Sequence, residues 1–172
     1  MRKVFSIVAT AILFTAVTTL SSCKKEEEKQ KTIVEIAQGD SNFSILVQAL
    51  TRSDLSTNYA TVLSGTGPFT VFAPTNAAFS ALLTELGASS LNDIPPATLE
   101  AVLKYHVVTA KVLSSSLTEG QEVTTFLGEK FKVSLAGGAK ITDAKGRVAN
   151  ITTVDLQGSN GVIHVIDKVL LP

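Results

Sequence analysis

Gly67-Pro68-Phe69-Thr70-Val71-Phe72-Ala73-Pro74-Thr75-Asn76-Ala77-Ala78-Phe79 is the stretch whose reading decides the fold. Gly67-Pro68 reads as a turn, and Phe69 to Pro74 as a short strand in which Phe69, Val71 and Ala73 alternate with Thr70, Phe72 and Pro74. Pro74 stops the ladder because it has no N–H to donate. The side-chain oxygen of Thr75 or Asn76 can satisfy the free amides in the first turn of a following helix. The stretch is therefore a strand-to-helix corner, and it fixes how a helical layer sits on a sheet.

Working outward toward the N-terminus, the periodicity is helical. Ile33, Ile36 and Ala37 form one apolar face ended by Gly39; Asp40 or Ser41 can cap a second helix carrying Phe43, Leu46, Val47 and Leu50; Tyr59, Val62 and Leu63 mark a third. Beyond the corner, Phe79, Leu82, Leu83 and Leu86 continue its helix to Gly87. Ala88 to Pro96 is then a loop ending in Asp93-Ile94-Pro95-Pro96. Leu99, Val102 and Leu103 mark another amphipathic helix, which runs into Tyr105-His106-Val107-Val108. After Lys111 the period falls to two. Short runs at Val123–Phe126, Phe131–Leu135, Lys140–Thr142, Val148–Leu156 and Val162–Ile166 are separated by Gly128, Gly137-Gly138, Gly146 and Asn160-Gly161, the last being the strongest hairpin signal. Val162 to Ile166 is apolar on both faces, which predicts a central strand covered on both sides. Helices first and strands second predict an α+β domain whose front strand joins the back sheet.

Three segments together resemble the fasciclin domain family: Thr70 to Phe79, Leu103-Lys104-Tyr105-His106-Val107-Val108, and Asn160 to Pro172. The resemblance covers residues 32–172, and a three-part match in order and spacing is far more specific than a single short motif. It implies a β-wedge of two sheets with helices packed at one side, and a role in adhesion or extracellular binding rather than catalysis. In animal members of the family the Tyr-His pair and a nearby Asp-Ile are associated with integrin binding. By position these correspond to Tyr105-His106 and Asp93-Ile94, so these four are the candidate partner-binding residues, with an extracellular protein or matrix ligand as the implied partner. The chain has no Arg-Gly-Asp.

The residues themselves also support a structural role. His106 follows an apolar helix face and leads into a strand, where a histidine is commonly a core residue bonded to backbone or hydroxyl groups, with Thr75 and Asn76 as possible partners. His164 reads the same way. Thr75, Asn76 and His164 thus stand as structural motif residues, and Phe69, Phe72 and Phe79 as core.

The first residues resemble a bacterial lipoprotein leader. Arg2 and Lys3 form a positive start, Val4 to Leu20 an apolar run, and Leu20-Ser21-Ser22-Cys23 places small residues before a cysteine. The resemblance implies cleavage before Cys23 and acylation of its thiol and amine, so residues 1–22 are a signal peptide and Cys23 an anchor. An uncleaved membrane helix with an incidental cysteine is the alternative, although the Thr and Ser residues make that run marginal for spanning. Lys24 to Lys31 carries no apolar residue and reads as a solvated tether reaching at most about 26 to 29 Å. Cys23-Lys24-Lys25-Glu26-Glu27 also resembles a lipoprotein export signal to the outer face of the outer membrane, against the alternative of a plain spacer.

Composition narrows the function classes. The whole chain balances 15 basic against 15 acidic residues, and losing Arg2 and Lys3 leaves the mature form slightly acidic, with no basic face for nucleic acid. A domain of this length buries about 68 to 70% of its unfolded surface, so a core needs no disulfide or metal, in keeping with a single cysteine. Gly158-Ser159-Asn160-Gly161 lacks a nucleophile elbow, Gly65-Thr66-Gly67 lacks a phosphate loop's Lys, and the two histidines have no metal-ligand spacing. Asp143-Ala144-Lys145-Gly146 is a turn. The expectation is a non-enzymatic, cofactor-free, lipid-anchored surface module. The alternatives are a glycan-acting envelope hydrolase and a structural accessory subunit of an envelope complex.

Overall fold

The computed structural model describes residues 30–172; the leader, Cys23 and tether residues 24–29 lie outside the described residues. Helix α1 spans Ile33–Gly39, and Thr32 and Glu35 close a reciprocal capping box at its start. Asp40 caps a 3₁₀ turn at Ser41–Phe43 that passes into α2, Ser44–Leu50, and Asn58 caps α3, Tyr59–Leu63. The corner follows as β1, Phe69–Pro74, and α4, Asn76–Leu86. Thr75 is the N-cap, its hydroxyl accepting from the Ala78 amide, while Gly87 ends the helix at φ 64° as the left-handed C-terminal residue that glycine adopts most readily. A 3₁₀ turn at Leu91–Asp93 precedes α5, Pro96–Tyr105, which opens on a proline as helices tolerate. The remaining strands are β2 Val107–Val108, β3 Glu122–Thr124, β4 Lys130–Ser134, β5 Lys140–Thr142, β6 Val148–Gly158 and β7 Gly161–Ile166.

The strand order is β2-β1-β7-β6-β5-β4-β3, with β1 parallel to β7 and every other pair antiparallel. The two expected layers are two parts of one continuous ladder, because β6 belongs to both. Its residues 148–150 pair with β5 and its residues 151–158 with β7, the second span carrying register shifts between Ile151 and Thr153 and between Thr153 and Leu156, with Asp155 at φ 58°. Such irregularity bends a strand. It lets the two halves close on each other as a wedge.

The alternation read in β1 places its faces in two separate cores. Val71 and Ala73 join Ile163 and Val165 of β7 beneath the helices, packed with Phe43, Leu46, Phe79, Leu99 and Val102. Phe72 joins Ile166, Phe131, Val133 and Ile141 inside the wedge, where Phe72 meets Phe131 edge-on at 5.0 Å. Strand β7 is buried along its whole length, as a central strand with apolar faces must be.

The hairpin at Asn160-Gly161 is present, but its turn lies one residue earlier than the dipeptide suggests. Gly158 pairs with Gly161, so Ser159 and Asn160 make the turn and Gly161 already belongs to β7. Its glycine has another cause: a Cβ at Gly161 would stand 2.2 Å from the Phe69 carbonyl oxygen, and one at Gly67 would stand 1.9 Å from that of Asn160. The parallel β1–β7 pair thus closes through two glycines. Asn160 acts through its side chain, accepting from the Ile33 amide at 3.1 Å and donating to the Leu63 and Gly65 carbonyls at 2.7 and 2.8 Å. One side chain therefore ties α1, α3 and the corner's turn to the last hairpin.

Candidate functional site

The corner's capping residues do not meet the Tyr-His pair. Thr75 holds its own helix, and Asn76 accepts from the Ile45 amide at 3.0 Å while donating to the Ser41 carbonyl at 2.8 Å and the Ser44 hydroxyl at 2.9 Å. Asn76 therefore locks α4 to the entry of α2, because its side chain lies on the helical side of β1. The expected contact with His106 is corrected on this geometry.

His106 is bonded elsewhere. Its Nδ1–H donates to the Val102 carbonyl, 2.7 Å away, and Nε2 accepts from the Leu170 amide at 2.9 Å, which fixes the tautomer. At 3% exposure the ring is dry, and burial pushes its pKa down to about 4 against weaker opposing effects from the Val102 bond and Asp143. Tyr105 is fully buried; its hydroxyl donates to the Lys130 carbonyl at 2.9 Å and accepts from the Ala144 amide at 3.0 Å, and its pKa is raised first of all by burial.

Asp143, read from sequence only as part of a turn, completes this cluster. Its Oδ1 accepts from the Lys145 and Arg147 amides at 3.0 and 2.8 Å and its Oδ2 from the Leu171 amide at 3.0 Å. The C-terminal segment Val169 to Pro172 forms no strand, so its inward amides need side-chain acceptors. His106 and Asp143 supply them. A short acceptor followed by glycine was the available signal, but the remote Leu171 was invisible in it.

Asp93 and Ile94 are treated differently by the fold. Asp93 is exposed and uses Oδ2 to accept from the Ser89 and Ser90 amides at 2.8 and 2.9 Å. Ile94 is buried, and its carbonyl together with that of Leu91 accepts from Arg52 Nη1 at 3.1 and 2.6 Å. Tyr105 and His106 thus present no contact surface, their polar atoms being taken up by backbone groups, while Ile94 is buried with its side chain against a groove between α4 and α5. Cys23 lies outside the described residues.

His164 is likewise fully buried, with Nε2–H donating to the Val112 carbonyl at 2.9 Å and Nδ1 accepting from the Asp155 amide at 3.3 Å. Asp155, whose pKa is lowered chiefly by hydrogen bonds from the Ser114 side chain and amide, pins the Ser114 turn to the irregular part of β6. Phe72 stacks on the His164 ring at 5.2 Å.

The buried residues do shape an exposed feature. Between α4 and α5 runs an apolar groove of about 460 Å³, floored by Ile94 and Val102 and walled on one side by Leu82 and Leu86 and on the other by Leu171 and Pro172. Leu86 is 55% exposed. Val102 is the carbonyl partner of His106, and Leu171 hangs from Asp143, so the buried cluster sets one wall of the groove. Among the described residues, no group of His, Cys, Asp and Glu gathers that could hold a metal ion.

A model of the Fasciclin domain family matches residues 41–172. The chain is 43% identical over 143 residues to "Protein sll1483" of Synechocystis sp. (strain ATCC 27184 / PCC 6803 / Kazusa), covering 82% of this chain and 73% of that protein. It is 34% identical over 141 residues to Transforming growth factor-beta-induced protein ig-h3 of Sus scrofa, where the match covers 82% of this chain and 19% of that protein. Among solved structures, a FAS1 domain pair from the insect cell adhesion molecule Fasciclin I superposes with a TM-score of 0.68 at 19% identity, covering 83% of this chain and 51% of that one, which shows a shared fold.

Proposed function

The chain belongs to the fasciclin domain family, and from that premise we propose that it is a non-catalytic adhesion or interaction module held at a bacterial cell surface. One observation carries the reading: the buried polar residues that could have formed a reactive centre, Tyr105, His106, Asp143 and His164, each have backbone partners and serve to hold irregular segments. A wedge whose buried tyrosine, histidines and aspartate are all engaged by backbone groups is suited to presenting loops to a partner. The name of the matched insect protein, a cell adhesion molecule, supports the same class, though fold likeness alone does not transfer a function.

In this proposal the mature chain is a single-domain lipoprotein anchored through acylated Cys23, with residues 24–31 as a tether and residues 32–172 as the binding domain. The leader and the Cys23-Lys24-Lys25-Glu26-Glu27 pattern support anchoring and display on the outer membrane. The partner is an extracellular protein or matrix ligand. It meets exposed groups near Asp93 and the α4–α5 face, since Tyr105 and His106 lie beneath that surface.

The experiment compares attachment of intact cells carrying the chain with cells lacking it. Attachment is expected to fall on deletion, and equal attachment overturns the adhesive role. Turnover of a glycan panel by the purified protein would favour the hydrolase alternative instead. Mass spectrometry of the mature N-terminus should find Cys23 acylated, and an unmodified Cys23 removes the anchor. Replacing Lys25 and Glu26 by Ala should protect the chain from protease added to intact cells; unchanged sensitivity rejects the export signal.

A further inference from the structure

The α4–α5 groove has the size and lining of a small-ligand site. Its volume of about 460 Å³ falls within the roughly 300–1,000 Å³ usual for such sites. The lining is aliphatic apart from Phe79, the Thr98 hydroxyl and one cation, Lys145. Ala97 and Ala101 stand one helical turn apart on the same face of α5, so the groove stays open between the larger side chains. An extended peptide would bring backbone N–H and C=O groups into a channel with almost no polar partner for them, which is costly. A hydrocarbon chain brings none.

Charge selects the ligand's other end. Lys145 is exposed, and among the described residues it forms no ion pair. Of the acids around the β5–β6 turn, Glu85 is held by Arg147 at 3.0 Å, and the buried Asp143 carboxylate is taken up by the Lys145, Arg147 and Leu171 amides. Among the described residues, Lys145 is therefore the one charged side chain lining the aliphatic channel, and it stands there without an ion-pair partner. We infer that the α4–α5 groove binds a single-chain amphiphile with an anionic head, its hydrocarbon tail along Leu82, Leu86, Ala97 and Ala101 and its carboxylate at Lys145. This site lies in the same α4–α5 face that the proposed partner meets, but its test does not depend on attachment.

The probe is dodecanoate, titrated below its micelle concentration into the purified protein and followed by NMR. Saturable shifts are expected at Leu86, Ile94, Ala97, Ala101 and Leu171. Lys145→Glu should weaken dodecanoate at least fivefold and tighten dodecyltrimethylammonium, because the rim charge reverses while the channel is untouched. Ala101→Phe should fill the channel and abolish both. Should that variant fail to fold, the Lys145→Glu comparison decides, since Lys145 is exposed. Three results overturn the inference: no saturable shift at these residues, equal wild-type affinity for the anionic and cationic amphiphiles, or binding of an amphipathic peptide to the groove where dodecanoate does not bind.

Discussion

The two walls of the α4–α5 groove are held by different physics. The helical wall rests on close packing: Phe79, Leu82, Leu99 and Val102 are each no more than 5% exposed and belong to the core beneath the helices. The opposite wall, Leu171 and Pro172, follows Val169 and Leu170, which are buried in separate cores, and it hangs from two side-chain acceptors, His106 Nε2 and Asp143 Oδ2. A helix satisfies its own amides, whereas an irregular segment must borrow partners. The difference teaches why polar residues sit inside this domain at all. They stand where a regular element is missing.

That contrast is broken most severely at Asp143. Asp143→Ala removes the acceptor for three amides, Lys145, Arg147 and Leu171, and unpaired buried groups cost about 1 to 3 kcal/mol each. Since two of the three lie near the surface, a loss of about 4 kcal/mol is expected by denaturant titration. An effect under about 1 kcal/mol would mean that the C-terminal wall is held by packing like its neighbour.

Acid should loosen the same wall next. His106 has its pKa lowered from 6.5 to about 4 by burial. The unfolded chain therefore takes up a proton as pH falls through 6.5 while the folded chain does not. The stabilisation is whole above pH 6.5 and declines as pH falls toward about 4, by about 3 kcal/mol in all. His106→Phe should flatten this part of the stability-pH profile. A slope in that window unchanged by the substitution would assign the acid sensitivity to other groups.

The helical wall is expected to respond without pH dependence. Leu82 is 3% exposed, and Leu82→Ala should cost about 2 to 3 kcal/mol at pH 7 and at pH 5 alike. A cost that changes with pH would couple the two walls. Smallest of all is the interaction between Asn76 and His106. They have no shared partner, since Asn76 binds the entry of α2 and His106 binds Val102 and Leu170. The double variant Asn76→Ala with His106→Ala should be additive within about 0.5 kcal/mol. A larger coupling would restore a link between corner and Tyr-His pair.

Local chemistry was legible in the sequence, and remote pairing was not. Phe69 to Ala77 reads as a strand turning into a helix because proline, threonine and asparagine act on their immediate neighbours, and β7 reads as central because both its faces are apolar. The parallel partnership of β1 with β7 joins residues at opposite ends of the domain, and it left a trace only in the glycines that let Gly67 and Gly161 pass so near other backbone. Asn160 looked like a turn residue and proved to be a hub, since its amide reaches three segments that only the fold assembles. Tyr105-His106 drew attention as a pair through the family resemblance, yet a helix end entering a two-residue strand carries both side chains into the interior. Asp143, Lys145 and Leu171 never stood out together because they meet only when the C-terminal segment crosses the β5–β6 turn.

The central claim is that His106 is an internal support for the C-terminal wall and not part of a contact surface. Titrating the histidine ring by NMR while following exchange of the Leu170 amide tests it directly. A neutral ring with its proton on Nδ1 down to about pH 4 is expected, together with a Leu170 amide as protected as those of β7. A ring titrating near its ordinary 6.5, with a Leu170 amide that exchanges as freely as a loop's, would contradict it.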